Sequence, residues 1–157
     1  MTDNNSQKLN STIINSTKTF RPTKINFQRK WYILDASKEP LGRIATKAAT
    51  ILMGKNRADY SPDVDMGGCL VIINAENVIL TGQKKRWKTY FTYSGFPGGL
   101  KSRNFEEMMV KKPTQPMFLA IKNMLPKNKQ QDVRMHTRLH IFVGQNHKLT
   151  QDLIIAN

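Results

Sequence analysis

An α/β domain built on a parallel sheet is the fold class this sequence predicts, and three neighbouring segments predict it. Trp31-Tyr32-Ile33-Leu34-Asp35 is aromatic and branched, as a buried strand requires, and Ala36-Ser37-Lys38-Glu39-Pro40 breaks it. From Leu41 to Met53 the apolar residues Leu41, Ile44, Ala45, Ala48, Ile51 and Leu52 recur at three and four residues, the signature of an amphipathic helix. Leu70 to Asn74 is a second strand. Strand, helix and strand at this spacing suggest a right-handed crossover between parallel neighbours. A chain of 157 residues suffices for one domain with a core and is short for two.

Ahead of the first strand, residues 1–24 are rich in Asn, Ser, Thr and Lys and poor in large apolar residues, which predicts a flexible arm. Arg is absent before Arg21 and Asp3 is present, a pattern that weighs against a transit peptide, and the apolar core of a secretory signal is missing. The globular part is expected to begin near Phe27. The expected division is an extension over 1–26, a domain over 27–144 and a tail over 145–157. On the first helix Arg43 and Lys47 fall on a face away from the apolar stripe, and Gly54 is its stop signal. A loop from Asn56 to Gly68 leads to the second strand. Val78 to Gly82 is a short apolar piece ending in a turn, and Trp87 to Tyr93 reads as a strand. Asn104 with Glu107 forms a capping pair for a short helix over Phe105, Met108 and Met109. Thr114 caps the next helix, with Pro116 in its first turn and Pro126 beyond its end. There Met117, Phe118, Ile121, Met124 and Leu125 cover a broad buried arc. Leu139 to Val143 is the last strand expected. No internal repeat is visible, and no apolar run approaches the roughly 18 residues of a membrane span.

The charge is the guide to partners. The formal net charge is +14 and the pI about 10.1. Residues 1–76 hold eleven bases and seven acids, whereas 77–157 hold fourteen bases and four acids. Between Glu76 and Glu106 there is no acid to neutralise Lys84, Lys85, Arg86, Lys88, Lys101 and Arg103. A charge run is ordinarily a solvated face, the reading preferred for Lys111-Lys112 or Lys127 and Lys129 taken alone. The segment from Lys84 to Arg103 differs in three ways. It interleaves its bases with Tyr90, Phe91, Tyr93 and Phe96, it contains Gly95-Phe96-Pro97-Gly98-Gly99, and it lacks compensating acids. Uncompensated positive charge attracts a polyanion, flat rings stack on bases, and glycines allow close backbone approach. Tyr90 and Phe91 are strand neighbours and point to opposite sides, so at least one is expected in the core.

Enzymatic chemistry finds no complete motif. A nucleotide-triphosphate loop around Gly54-Lys55 has Ala49 and Asn56 in place of its glycine and its hydroxyl residue, and in Gly95 to Ser102 Leu100 stands where the second glycine belongs. The first strand–helix junction contains only Gly42, too little for a dinucleotide fingerprint. His136 and His140 have the spacing of two metal ligands on a helix, but Thr137 replaces the Glu of a zinc protease and the segment is turning into a strand. Asp63 and Asp65 sit in a Pro- and Gly-flanked loop without a partnering His, as turn formers do. Cys69 is the sole cysteine, which excludes an internal disulfide and a cysteine-based zinc cluster and predicts a buried, inert thiol.

Four blocks in this order carry a family resemblance: Trp31 to Ala36 with Leu41-Gly42-Arg43; Val71 to Glu76 with Leu80-Thr81-Gly82; Tyr93 to Lys101; and Met124-Leu125-Pro126-Lys127-Asn128. Over roughly Lys30 to Gly144 the chain resembles the L-thirteen family of bacterial-type large-subunit ribosomal proteins. The resemblance implies a three-layer α/β/α fold around a parallel four-stranded sheet. It also implies a structural role on large-subunit rRNA, an early place in subunit assembly, no catalytic duty and no cofactor. Matching motifs nominate Arg43, Lys55, Ser94, Gly95, Phe96, Pro97, Gly98, Gly99, Lys101, Arg103, Lys127 and Asn128 as rRNA-facing. With the bases of the acid-free segment, the candidate set is completed by Lys47, Arg57, Tyr93, Lys129, Arg134 and Arg138. The expected partners are large-subunit rRNA and neighbouring large-subunit proteins, with no membrane span and no small-molecule substrate. Asn123 stands where the family usually has Gly, Gln130 and Gln131 replace another, and the tail after Gly144 keeps only a trace of the family's. The divergent tail, the long arm and the Asn/Ile/Lys-rich usage point to an organellar ribosome, mitochondrion ahead of plastid, with a bacterial cytoplasm as the alternative. An RNA-binding regulator acting outside the ribosome is the alternative function.

Overall fold

The computed structural model describes residues 29–147, 149 and 153–155; the expected N-terminal extension lies outside them. Four parallel strands form the central sheet in the order β5–β2–β1–β6, where β1 is Trp31–Asp35, β2 is Cys69–Ile73, β5 is Leu139–Ile141 and β6 is Leu153–Ile155. The expected α/β class with a parallel four-stranded sheet is therefore observed, with helices packed around the sheet. Between β1 and β2 runs helix α1, Leu41–Met53. It ends where expected: Gly54 takes the left-handed conformation, and its N–H donates to the Ile51 carbonyl.

The core follows from alternation along the strands. Register pairs Tyr32 with Leu70 and Leu34 with Ile72, so these side chains share one face. On that face the stripe of α1 and helix α4, Gln115–Met124, close over Leu34, Leu70, Ile72 and Leu139. Met117, Ile121 and Leu52 are completely shut off from solvent there. Each such side chain stabilises the fold by about 1.5–3 kcal/mol through burial alone. Met124 departs from the expected arc. It is exposed near the helix end, with the Thr46 hydroxyl 3.4 Å from its sulfur. On the opposite sheet face Trp31 stacks on His140 with ring centroids 5.6 Å apart, while Phe118 of α4 meets His136 at 6.0 Å. The histidines thus pack against aromatic rings. Cys69 is buried, and burial pushes its thiol up from the ordinary range, as an inert group requires.

Several elements differ from expectation. The segment read as one strand from Trp87 divides into a helical turn α2, Lys84–Trp87, and strand β3, Thr89–Tyr93. An unforeseen strand β4, Leu100–Asn104, pairs antiparallel with β3 and makes a hairpin separate from the central sheet. Helix α3, Phe105–Lys111, starts at Asn104 without a side-chain capping bond, and Thr114 likewise makes none for α4. The tail contributes β6, paired parallel with β1, although no strand was expected beyond Val143. The β5 ladder does continue past Ile141, since the Phe142 N–H donates to the Ile72 carbonyl at 2.8 Å. Before β5 come a short helix α5, Lys129–Val133, and a wide π-type turn, Arg134–Arg138. Val78 to Gly82 remains a loop, tied to the start of α1 by the Leu41 N–H donating to the Ile79 carbonyl at 2.9 Å.

Candidate nucleic-acid interface

The hairpin stands off the body, and its pairing sorts its side chains. Phe91 opposes Ser102 and Tyr93 opposes Leu100, whereas Tyr90 opposes Arg103 and Thr92 opposes Lys101. Since neighbours alternate, one face presents Phe91, Tyr93 and Leu100 and the other presents Lys101 and Arg103. Both faces are open: Phe91 is 67% exposed, and every β4 residue is exposed. Trp87, at 77%, and Phe96, at 75%, extend the aromatic surface to the hairpin's root and tip. The expectation that Tyr90 or Phe91 belongs to the core is met only in part, by a half-buried Tyr90.

The tip is a tight loop from Ser94 to Gly99. The Gly99 N–H donates to the Phe96 carbonyl at 2.9 Å and the Ser94 N–H to the Gly99 carbonyl at 3.3 Å. Gly95 and Gly98 take φ of 90° and 73°, where a side chain is strained. A Cβ on either would meet nothing within 4 Å, so both backbones lie open to a partner. At the root, the Phe105 N–H donates to the Lys88 carbonyl at 2.9 Å, and Phe105 and Met108 are buried on α3. The arm is thereby clamped at one end and free at the other.

Lys84, Lys85, Arg86 and Lys88 are all exposed around α2, with the Lys88 ammonium 5.2 Å from the Tyr90 ring centroid. Lys127, Asn128 and Lys129 line a shallow cleft with Lys122 and Asn123. Asn123 also lines a deeper cleft beside Lys84 and Lys88, so the two basic clusters adjoin. Lys122 was missed because it reads as one base on an apolar helix; only the fold sets it beside Lys127.

Other candidates lie elsewhere. Arg43 is exposed on α1, but Lys47 is held by Glu39 at 2.6 Å. Lys55 and Arg57 follow the far end of α1, whose last residue Met53 lies about 17 Å along the axis from Gly42 at 1.5 Å per residue. Arg57 is engaged by both oxygens of Asp59 at 2.9 Å. This hydrogen-bonded pair raises Arg57 and lowers Asp59 from their ordinary ranges. Arg134 and Arg138 are interior residues, 6% and 5% exposed, which corrects their place among the surface candidates. Both reach Asp65, Arg138 with two nitrogens and Arg134 at 3.4 Å. Burial alone would push Asp65 up, but the Arg138 hydrogen bond and the two guanidinium charges hold it below the usual carboxylate range. Asp65 therefore anchors its loop to the turn before β5, where the sequence had suggested only a turn former. No local signal marks the pair, because 73 residues separate Asp65 from Arg138. Among the described residues no cluster of His, Cys, Asp and Glu suits a metal ion, and no helix is long and apolar enough to cross a membrane.

Comparison with known proteins gives one consistent result. The family model described as Ribosomal protein L13 matches residues 29–148. The large ribosomal subunit protein uL13 of Thermotoga maritima is 42% identical over 134 residues, covering 85% of this chain and 88% of the relative. Its namesake in Syntrophus aciditrophicus is 43% identical over 131 residues, covering 83% and 92%. That of Chloroflexus aggregans is 42% identical over 130 residues, covering 83% and 90%.

Proposed function

The chain belongs to the ribosomal protein L13 family, hence to the structural proteins of the large ribosomal subunit, and we propose that it binds large-subunit rRNA and supports early subunit assembly. The observation that carries this reading is the two-faced hairpin. Lys101 and Arg103 occupy one face and Phe91, Tyr93 and Leu100 the other, with Lys84, Lys85, Arg86 and Lys88 at the root. Lysine and arginine displace counterions from the phosphate backbone and fix register. The exposed rings stack on unpaired bases, and the open glycines let the backbone run close to the RNA. Arg43, Lys127, Asn128 and Lys129 extend this footprint across the body; Arg134 and Arg138 contribute to stability instead. Neighbouring large-subunit proteins complete the set of partners.

Within the proposed domain over 27–144, the sheet and its helices are the rigid base. The extension over 1–26 and the tail over 145–157 are the parts that divergent composition sets apart, although β6 ties some of the tail into the sheet. The Asn/Ile/Lys-rich usage and long extension favour an organellar ribosome, mitochondrion ahead of plastid; the relatives compared above are bacterial. Immunodetection in fractionated cells discriminates organelle from cytoplasm.

The direct test replaces Lys84, Lys85, Arg86 and Lys88 by Gln and follows rRNA affinity over a range of salt concentrations. Weaker binding with a shallower salt dependence is expected. Identical curves for both proteins would remove the segment from the interface. Sedimentation of the native protein with large subunits separates the ribosomal role from regulation outside the ribosome.

A further inference from the structure

Two rows of side chains cross the aromatic face of the hairpin. Phe91 with Ser102 forms one and Tyr93 with Leu100 the other, while the Thr92–Lys101 pair between them belongs to the opposite face. The floor between the rows is therefore bare backbone. Residues two apart on an antiparallel strand lie about 6.8 Å apart, from a rise of ~3.4 Å per residue. Successive bases of a nucleic-acid strand stack at about 3.4 Å, so the two rows leave room for one flat ring between them. Both walls are open to a ligand: Phe91 is 67% and Tyr93 63% exposed. Among the described residues neither packs on another aromatic ring, and both keep their flat faces free.

Resting on the rRNA-binding reading above, we infer that the gap between Phe91 and Tyr93 is a slot for one nucleobase, which enters as a third layer between the two rings. A base held on both faces has left the stack of its own strand, so the ligand is a bulged or looped-out nucleotide and not part of a duplex. Extruding such a base costs little, since it has no pairing partner to lose. The Ser102 hydroxyl ends the Phe91 row and can donate or accept, so the slot selects an unpaired base without selecting its identity. Lys101 sits in the middle pair, on a strand whose outer edge has no further strand among the described residues. Its long side chain can thus serve the phosphates that flank the inserted base. A side chain from a neighbouring protein would leave that charge unmatched, in a segment free of acids from Asn77 to Phe105, so RNA is the occupant the charges favour.

The test irradiates the full chain, bound to the large-subunit rRNA of its own source, with ultraviolet light, which joins bases directly to the rings they touch. Mass spectrometry should find Phe91 and Tyr93 joined to the same nucleotide. Adducts to two different nucleotides, or to neither ring while the wild type binds, would overturn the slot and leave rRNA binding standing. Failure of the wild type to bind would remove the parent reading as well. Phe91→Leu and Tyr93→Leu keep an apolar side chain without a flat face. Each should weaken binding about tenfold with the salt dependence unchanged, because no phosphate contact is lost. The double variant should fall well short of the roughly hundredfold product, since a base that has lost one ring already leaves the slot. The full product would mean two independent stacking contacts and would overturn the slot. Tyr93→Phe retains the ring and should bind as the wild type does; a loss as large as that of Tyr93→Leu would count against stacking. Both positions are exposed, so the variants should keep the fold, which thermal melting checks. A photo-cross-linking residue at Leu100 in assembled subunits should capture RNA; capture of a neighbouring protein instead would overturn the inference.

Discussion

Asp65 illustrates what a single side chain holds in this protein. It pairs with two guanidinium groups that the fold has taken out of water, Arg134 and Arg138. Asp65→Asn should destabilise the protein by about 3 kcal/mol at neutral pH, because it leaves buried charges unpaired; urea denaturation reads the change. The pH dependence has a definite sign. A carboxylate held low in the folded state contributes stability above its unfolded pKa of about 4 and loses it as pH falls through the folded value. The wild type should therefore weaken with acid below about pH 4, and Asp65→Asn should show a flatter acid limb. Equal slopes would contradict the pairing. Sequence could name these residues as charged but could not sort them. Arg134 and Arg103 look alike in a basic chain, and only packing separates an interior ion pair from an open surface.

At the scale of elements, the hairpin assigns distinct tasks to its two faces. Lys101→Gln with Arg103→Gln should weaken rRNA binding and reduce the slope of log affinity against log salt by roughly one to two. Phe91→Ala with Leu100→Ala should weaken binding with that slope unchanged, because stacking releases no counterions. If both pairs alter the slope equally, the two faces do not work separately. Gly98→Ala forces a side chain into a left-handed conformation at about 1–2 kcal/mol. The strain is local to an arm outside the core, so affinity should fall while the thermal midpoint of the body holds. Helices α1 and α4 and the first two strands were legible because apolar patterning writes them directly, as in Leu41 to Leu52. The hairpin was half legible: Thr89 to Tyr93 reads as a strand, but Leu100-Lys-Ser-Arg-Asn lacks the branched residues that identify one. Its pairing with β3, not its own propensity, makes it extended. The three-residue β6 is invisible for a related reason, being held by an existing edge.

For the molecule as a whole, a dry sheet-and-helix body carries a wet arm, and their stabilities should differ. Amide hydrogen exchange of the free protein should be slowest in β1, β2 and α4 and fast from Thr89 to Asn104, with the arm becoming protected in assembled subunits. An arm equally protected in both states would mean that RNA does not cover it. The family resemblance supplied the parallel four-stranded sheet, while charge supplied the partner class. Neither could place Asn123 between two basic clusters, since that depends on where α4 ends against the hairpin. The arm's bareness also has a consequence for cellular economy. Trp87, Phe91, Tyr93 and Leu100 present water with greasy, flat surface, and the outer edges of β3 and β4 lack a further strand among the described residues. Copies synthesised in surplus over nascent transcripts would adhere to one another blade to blade, so output of this polypeptide has to be matched to that of its RNA.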